Sequence, residues 1–248
     1  MMMLPRNSYR YAWIAVALLL TGSANADIAT TKHNLSVSGP GPIQSTTEQE
    51  ICVYCHTPHR ARTTTGLLWN REDSTAVYAQ YQSSSLKAIV GQPTGASKLC
   101  LSCHDGTIAL GALVSRQTEI PFAGGIRFLP EGDTRLGTDL SDDHPLSFVY
   151  DESLAIDNGE LASPSTLTSA VKLDSSGQLQ CTACHDPHED SFGKFLVRPN
   201  NFSALCVTCH TRRDWPVSAH ATSGATWSQT GPDPWPDTEY TTVAENAC

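Results

Sequence analysis

Four times the sequence writes cysteine, two residues, cysteine, histidine: Cys52-Val53-Tyr54-Cys55-His56, Cys100-Leu101-Ser102-Cys103-His104, Cys181-Thr182-Ala183-Cys184-His185 and Cys206-Val207-Thr208-Cys209-His210. Two thiols three positions apart can reach both vinyl groups of one porphyrin. The next residue then offers its imidazole to the iron from one face, so the spacing is that of covalent haem c attachment. Two other chemistries use C-x-x-C pairs. Tetrahedral zinc needs four ligands per ion and is indifferent to a histidine after every pair. Vicinal disulfides of exported chains are usually redox-active and make no demand for that histidine either. The four copies use eight of the nine cysteines, and each carries its histidine. That favours haem, with four complete sites.

Nine histidines are present. His56, His104, His185 and His210 are the proximal ligands that the motifs imply, which leaves His33, His59, His144, His188 and His220. A lone unplaced histidine is more often a surface or core residue than a ligand. Here the positions recur: His33-Asn34-Leu35-Ser36 matches His144-Pro145-Leu146-Ser147, and His59 and His188 each end a C-x-x-C-H-x-P-H string. Two spare histidines per two haems give every iron a second imidazole. Iron held between two imidazoles has no vacancy for substrate, and its potential lies below that of a His/Met pair. The chain is therefore expected to pass electrons from haem to haem and to lack a catalytic apparatus, its role being ligation, spacing and exclusion of side reactions. With a proline inside each three-residue step, neither His59 nor His188 can wrap around its own haem. His59 is thus expected to serve the haem at Cys100 and His188 the haem at Cys206, with His33 and His144 serving the first haem of each repeat.

The elements that hold these residues come as repeats. The unit H-x-L-S, C-x-x-C-H-x-P-H, C-x-x-C-H occurs twice, dividing the chain into 27–140 and 141–215. A third copy is expected over 216–248, beginning at His220-Ala221-Thr222-Ser223 and reaching its first haem motif at Cys248, where a fifth site would start with His220 as its spare ligand. Arg6 and Arg10 precede an apolar run over 12–20, and Ala24 and Ala26 form a small-x-small cleavage pattern. Residues 1–26 read as a secretory signal peptide, since a spanning helix needs roughly 20 apolar residues. Export is what haem c attachment requires of a bacterial chain, so the expected location is the periplasm, or the outer-membrane surface and beyond.

Hydrophobic residues make up 40% and charged residues 17%, with Gly 17 and Pro 15 scattered throughout. Residues 76–90 are the best helical candidate, and strand-like alternation is sparse. Four porphyrins buried against Leu, Val, Trp and Phe would supply the missing core. The expected fold is that of a loop-rich multihaem cytochrome c with short α-helices, little β-structure and a haem-filled core, folding poorly without haem. The net charge of -9 argues against nucleic acid as a partner and mildly favours one with a basic patch, although a solvated acidic surface is the usual explanation; the expected partners are other redox proteins or copies of the chain itself. Trp69, Trp215, Trp227 and Trp235 could stack on porphyrin or pack as plain core. Arg60, Arg62, Arg212 and Arg213, just after haem motifs, read as solvated charge more readily than as propionate partners. Asp105-Gly106-Thr107 and the proline-rich tract 231–236 read as turns and linker.

The strings Cys52-Val53-Tyr54-Cys55-His56-Thr57-Pro58-His59, Leu68-Trp69-Asn70, Ser97-Lys98-Leu99-Cys100, His144-Pro145-Leu146-Ser147-Phe148 and Cys181-Thr182-Ala183-Cys184-His185-Asp186-Pro187-His188 resemble the doubled-CxxCH multihaem c-type cytochromes. That family includes outer-surface, filament-forming hexahaem cytochromes of metal-reducing bacteria. The resemblance covers most of the chain after residue 26. It implies bis-histidine haems, little regular secondary structure and respiratory electron transfer, extending to extracellular acceptors. The chain departs from the hexahaem pattern in having four complete motifs. A rival reading is a multihaem reductase of nitrite, hydroxylamine or a sulfur oxyanion, which would keep one haem with an open or unusual ligand. No C-x-x-C-K variant occurs.

Overall fold

The computed structural model describes residues 28–62, 68–226 and 241–247. The expected signal segment, Trp227, Trp235, the tract 231–236 and Cys248 lie outside the described residues. Proline and glycine punctuate the sequence too often for long elements, and the elements that form are short. Helix α1 spans Gly95–His104, α2 Glu152–Asn158, α3 Ala219–Thr222 and α4 Val243–Asn246. Strand β1 (Ala79–Gln80) pairs in parallel with β2 (Asp139–Leu140), and β3 (Phe148–Val149) pairs antiparallel with β4 (Gln178–Leu179). The fold is loop-rich with short helices and little β-structure, as the sequence predicts. No helix among the described residues is long and apolar enough to cross a membrane.

Local chemistry sets the helix ends. The Asp151 carboxylate accepts from the backbone N–H of Leu154 at 2.8 Å to start α2, and Gly159, with φ 71°, closes it in the left-handed conformation. Thr242 and Glu245 form a reciprocal capping box on α4. Residues 76–90 do not form the expected helix; only the two residues of β1 are regular there. The serine run explains the difference, because the Ser83 hydroxyl accepts from the Ser85 N–H and the Leu86 N–H bonds back to the Ser83 carbonyl, which makes a turn. Tyr78 is buried instead as a single anchor, its hydroxyl donating to Asp105 at 2.6 Å. Asp105-Gly106-Thr107 is the turn expected: Thr107 N–H bonds Asp105 at 2.7 Å and Gly106 takes φ 69°.

The apolar interior is divided into small clusters, each containing or touching a C-x-x-C-H segment. Tyr54, Leu110, Leu113, Ile120, Phe122 and Leu129 pack together with Cys55 and Cys103 against them. Phe148, Tyr150, Ala155, Val171, Leu179 and Ala183 form a second cluster with Cys209 at its edge, and Tyr78, Leu101 and Leu140 form a third.

Two buried polar groups tie the segments. Arg71 is 1% exposed and donates to the Leu110 carbonyl at 2.8 Å, the Ala109 carbonyl at 3.0 Å, and the carbonyl and hydroxyl of Ser102 at 3.1 and 3.2 Å. Replacing Arg71 by Met leaves those carbonyls unpaired. At about 1–3 kcal/mol per unsatisfied buried group, the matured protein is expected to lose more than about 3 kcal/mol in guanidinium unfolding. A change within about 0.5 kcal/mol would contradict that role. Gln180, also 1% exposed, accepts from the hydroxyls of Ser97 (2.7 Å) and Ser147 (3.0 Å) and donates to Asp174 (2.9 Å). The Ser97 hydroxyl in turn accepts from Cys181 N–H at 3.0 Å, so α1 and the third motif are fastened side by side.

Candidate haem-binding site

Three of the four motifs begin on a single 3-10 turn, at Cys52–Tyr54, Cys181–Ala183 and Cys206–Thr208, and the second lies on the last turns of α1. In each single-turn case the histidine N–H bonds back to the first cysteine's carbonyl, at 2.8 Å for His56 and 2.9 Å for both His185 and His210. A returning segment then bonds the second cysteine's carbonyl: Asn70 N–H to Cys55, Val197 N–H to Cys184 and Ala162 N–H to Cys209, at 2.9, 2.9 and 2.7 Å. These bonds fix the direction in which each histidine leaves the backbone. None of the eight described cysteines is in a disulfide.

The histidines meet in twos. His33 faces His104 with ring centres 6.2 Å apart, His56 faces His188 at 6.2 Å, and His144 faces His210 at 6.3 Å. Two imidazoles on opposite sides of one metal, each bonded at about 2.0 Å, have ring centres roughly 6 to 6.5 Å apart. Among the described residues no three of His, Cys, Asp and Glu converge to hold an ion by themselves. Pairs of that separation suit a macrocycle that supplies four donors and leaves two axial positions. The residues present therefore fit haem.

Ring tautomers agree with the fit. Nδ1 of His33 lies 2.9 Å from the Pro187 carbonyl, that of His104 2.6 Å from Thr134, that of His144 2.7 Å from Pro145 and that of His185 2.8 Å from Lys194. A carbonyl can only accept, so each Nδ1 is the donor, and the Nε2 edge of each ring is the one turned to a metal. His188 Nδ1 lies 3.2 Å from Asp186, another acceptor. Burial lowers the His33 pKa, opposed by the bond to the Pro187 carbonyl, and burial followed by repulsion from His144 lowers that of His210. Both effects favour the neutral, ligating form.

At Cys55, Cys184 and Cys209 burial disfavours a thiolate. Burial pushes the Cys55 thiol up to about 12 and the Cys184 thiol to about 11, and raises Cys209 as well. A hydrogen bond between the Cys100 and Cys181 thiols holds Cys100 up and Cys181 down. Electrostatic neighbours run from Cys55 to Cys103, from Cys100 to Cys181 and from Cys184 to Cys209. The motifs therefore follow one another in space in chain order.

The observed pairs correct the expected assignment of spare ligands. His33 faces the second motif of its repeat and not the first; His144 likewise faces His210 and not His185. His188 faces His56, in the other repeat, and not His210. The spacing misleads because it shows only what a ligand cannot reach, whereas the way the repeats pack decides what it does reach. Among the described residues His59, His185 and His220 face no second histidine ring. His59 lines a cavity of about 460 Å³ with Cys52, His56 and Arg60, and His220 lies exposed on α3.

Trp69 is buried edge-on to His56, an expected ligand, at 6.1 Å, while Trp215 sits on a 3-10 turn at Trp215–Val217. Arg62 pairs with Glu72, and Arg212 with Glu160 at 3.7 Å. Phe195, stacked on His33 at 4.0 Å, is a positioning residue that the motifs do not signal. The carbonyls that orient Nδ1 are equally silent in sequence, since every residue has one.

Residues 175–214 match the family described as the doubled CXXCH motif. The matched segment takes in both motifs of the second repeat and His188. None of the curated proteins compared matches the chain. That match, with histidines paired at axial separation on a loop-rich scaffold, supports placing the chain in a multihaem c-type cytochrome-like family.

Proposed function

We propose that the chain carries four haem c groups, tethered through Cys52 and Cys55, Cys100 and Cys103, Cys181 and Cys184, and Cys206 and Cys209, and that it conducts electrons along them. His56, His104, His185 and His210 are the proximal ligands, with His188, His33 and His144 opposite the first, second and fourth. The observation that carries this reading is the set of three imidazole pairs at 6.2 to 6.3 Å. Bound haem supplies a reversible one-electron couple. The protein's residues would hold three of the irons on both faces, orient the rings of His33, His104, His144 and His185 through their Nδ1 carbonyl bonds, and seat Cys55 and Cys209 in apolar surroundings. The neighbouring sulfurs of successive motifs support a continuous row rather than isolated sites.

The chain works in exported respiratory electron transfer, with other redox proteins or copies of itself as partners and extracellular acceptors as one destination. The apolar run and cleavage pattern over 1–26 support export. Carbon monoxide and stopped-flow reduction together test the function. The expected result is all four haems reduced in one rapid exchange, with no carbon monoxide band at millisecond times. Rapid tight binding of carbon monoxide at one haem would instead indicate a reductase, and four independent slow phases would indicate storage.

A further inference from the structure

The first motifs of the two repeats have the same backbone. Thr57 N–H bonds the Leu68 carbonyl at 2.9 Å as Asp186 N–H bonds that of Phe195 at 2.8 Å, and Leu68 and Phe195 both take positive φ, 53° and 58°. Isolated bridges join His56 to Trp69 and His185 to Leu196 at matching positions. Each segment then presents a second histidine three residues on, His59 in one and His188 in the other.

His188, the last histidine of the second segment, faces His56, the first of the other, with ring planes 13° apart. Two like segments that meet first to last run in opposite directions. If the two segments are related by a two-fold, where residue i meets j and j meets i, the His56–His188 contact implies a matching axis for His185 and His59. His185 has its Nδ1 2.8 Å from the Lys194 carbonyl, which turns its Nε2 edge away from that bond. His59 is exposed, so its ring can turn on to that axis at little cost.

We infer that the two repeats exchange distal ligands: His188 completes the haem at Cys52 and Cys55, and His59 completes the haem at Cys181 and Cys184. This rests on the four-haem reading above. The second motifs, by contrast, are completed within their own repeats, by His33 and His144. Each first haem is thus clamped by residues from both halves of the chain.

The test uses the full chain, matured with haem. His59→Ala and His188→Ala are each expected to turn one haem in four from low spin to high spin, read by the ferric charge-transfer band and reversed by added imidazole. Removing the third haem with Cys181→Ala and Cys184→Ala assigns the signals: the His59→Ala high-spin band should vanish and the His188→Ala band should persist. If the alanine variants do not mature, His59→Met keeps a sixth ligand and should raise the potential of a haem that the Cys181/Cys184 variant lacks. Four low-spin haems in His59→Ala would overturn the exchange, as would a high-spin band that survives loss of the third haem. So would a high-spin third haem in His220→Ala but not in His59→Ala. Failure of the underlying reading would be visible separately, as a wild-type chain without four low-spin haems.

Discussion

Made without haem attachment, the chain is expected to show no cooperative unfolding transition. Its largest apolar clusters contain six buried residues each, and its two sheets consist of two-residue strand pairs. Isolated two-stranded pairs are marginal in water even when longer. Within the clusters, Tyr54, Leu101 and Ala183 come from the C-x-x-C-H segments themselves, so the polypeptide core is built around the attachment points. When a site exists only in the folded state, cofactor affinity becomes folding free energy. Thermal melts followed by far-ultraviolet circular dichroism, with and without haem maturation, check this. A sharp transition in the haem-free chain at the matured protein's midpoint would refute it.

Loss of a distal ligand is expected to have the next largest effect, and to fall on one haem alone. His144 faces His210 at 6.3 Å, with its Nδ1 held by the Pro145 carbonyl. Replacing it by methionine keeps six-coordinate iron while exchanging an imidazole for a thioether, which favours the ferrous state. One haem in four should rise in potential by on the order of 0.1 V, given the range of about 0.8 V that axial ligands span. His144→Ala should convert that same haem to high spin. Spectroelectrochemical titration reads both outcomes, and a titration curve unchanged in all four waves would contradict the assignment of His144.

The two halves of the site differ in how far the sequence exposes them. The attachment cysteines and proximal histidines are contiguous, so a five-residue string carries the whole signal. The spare histidines are also visible, because His33 matches His144 and His59 matches His188. Their partners are not. Whether His188 meets His56 or His210 depends on how two repeats pack, and no local periodicity records that. The orientation of each ring by a backbone carbonyl, as at Thr134 and Lys194, leaves no residue type to read. Residues 76–90 failed as a helix for a local reason, the serine turn at 83–86, which apolar counting alone overlooks. Arg71 is illegible for the opposite reason: an arginine between polar neighbours reads as surface, and only the fold shows it enclosed by four neutral acceptors.

Low-temperature electron paramagnetic resonance of the ferric, natively matured chain is the most direct test of paired-imidazole haem. The account predicts low-spin signals alone, integrating to four irons per chain. An iron-free spectrum, or one dominated by high-spin iron, would contradict it.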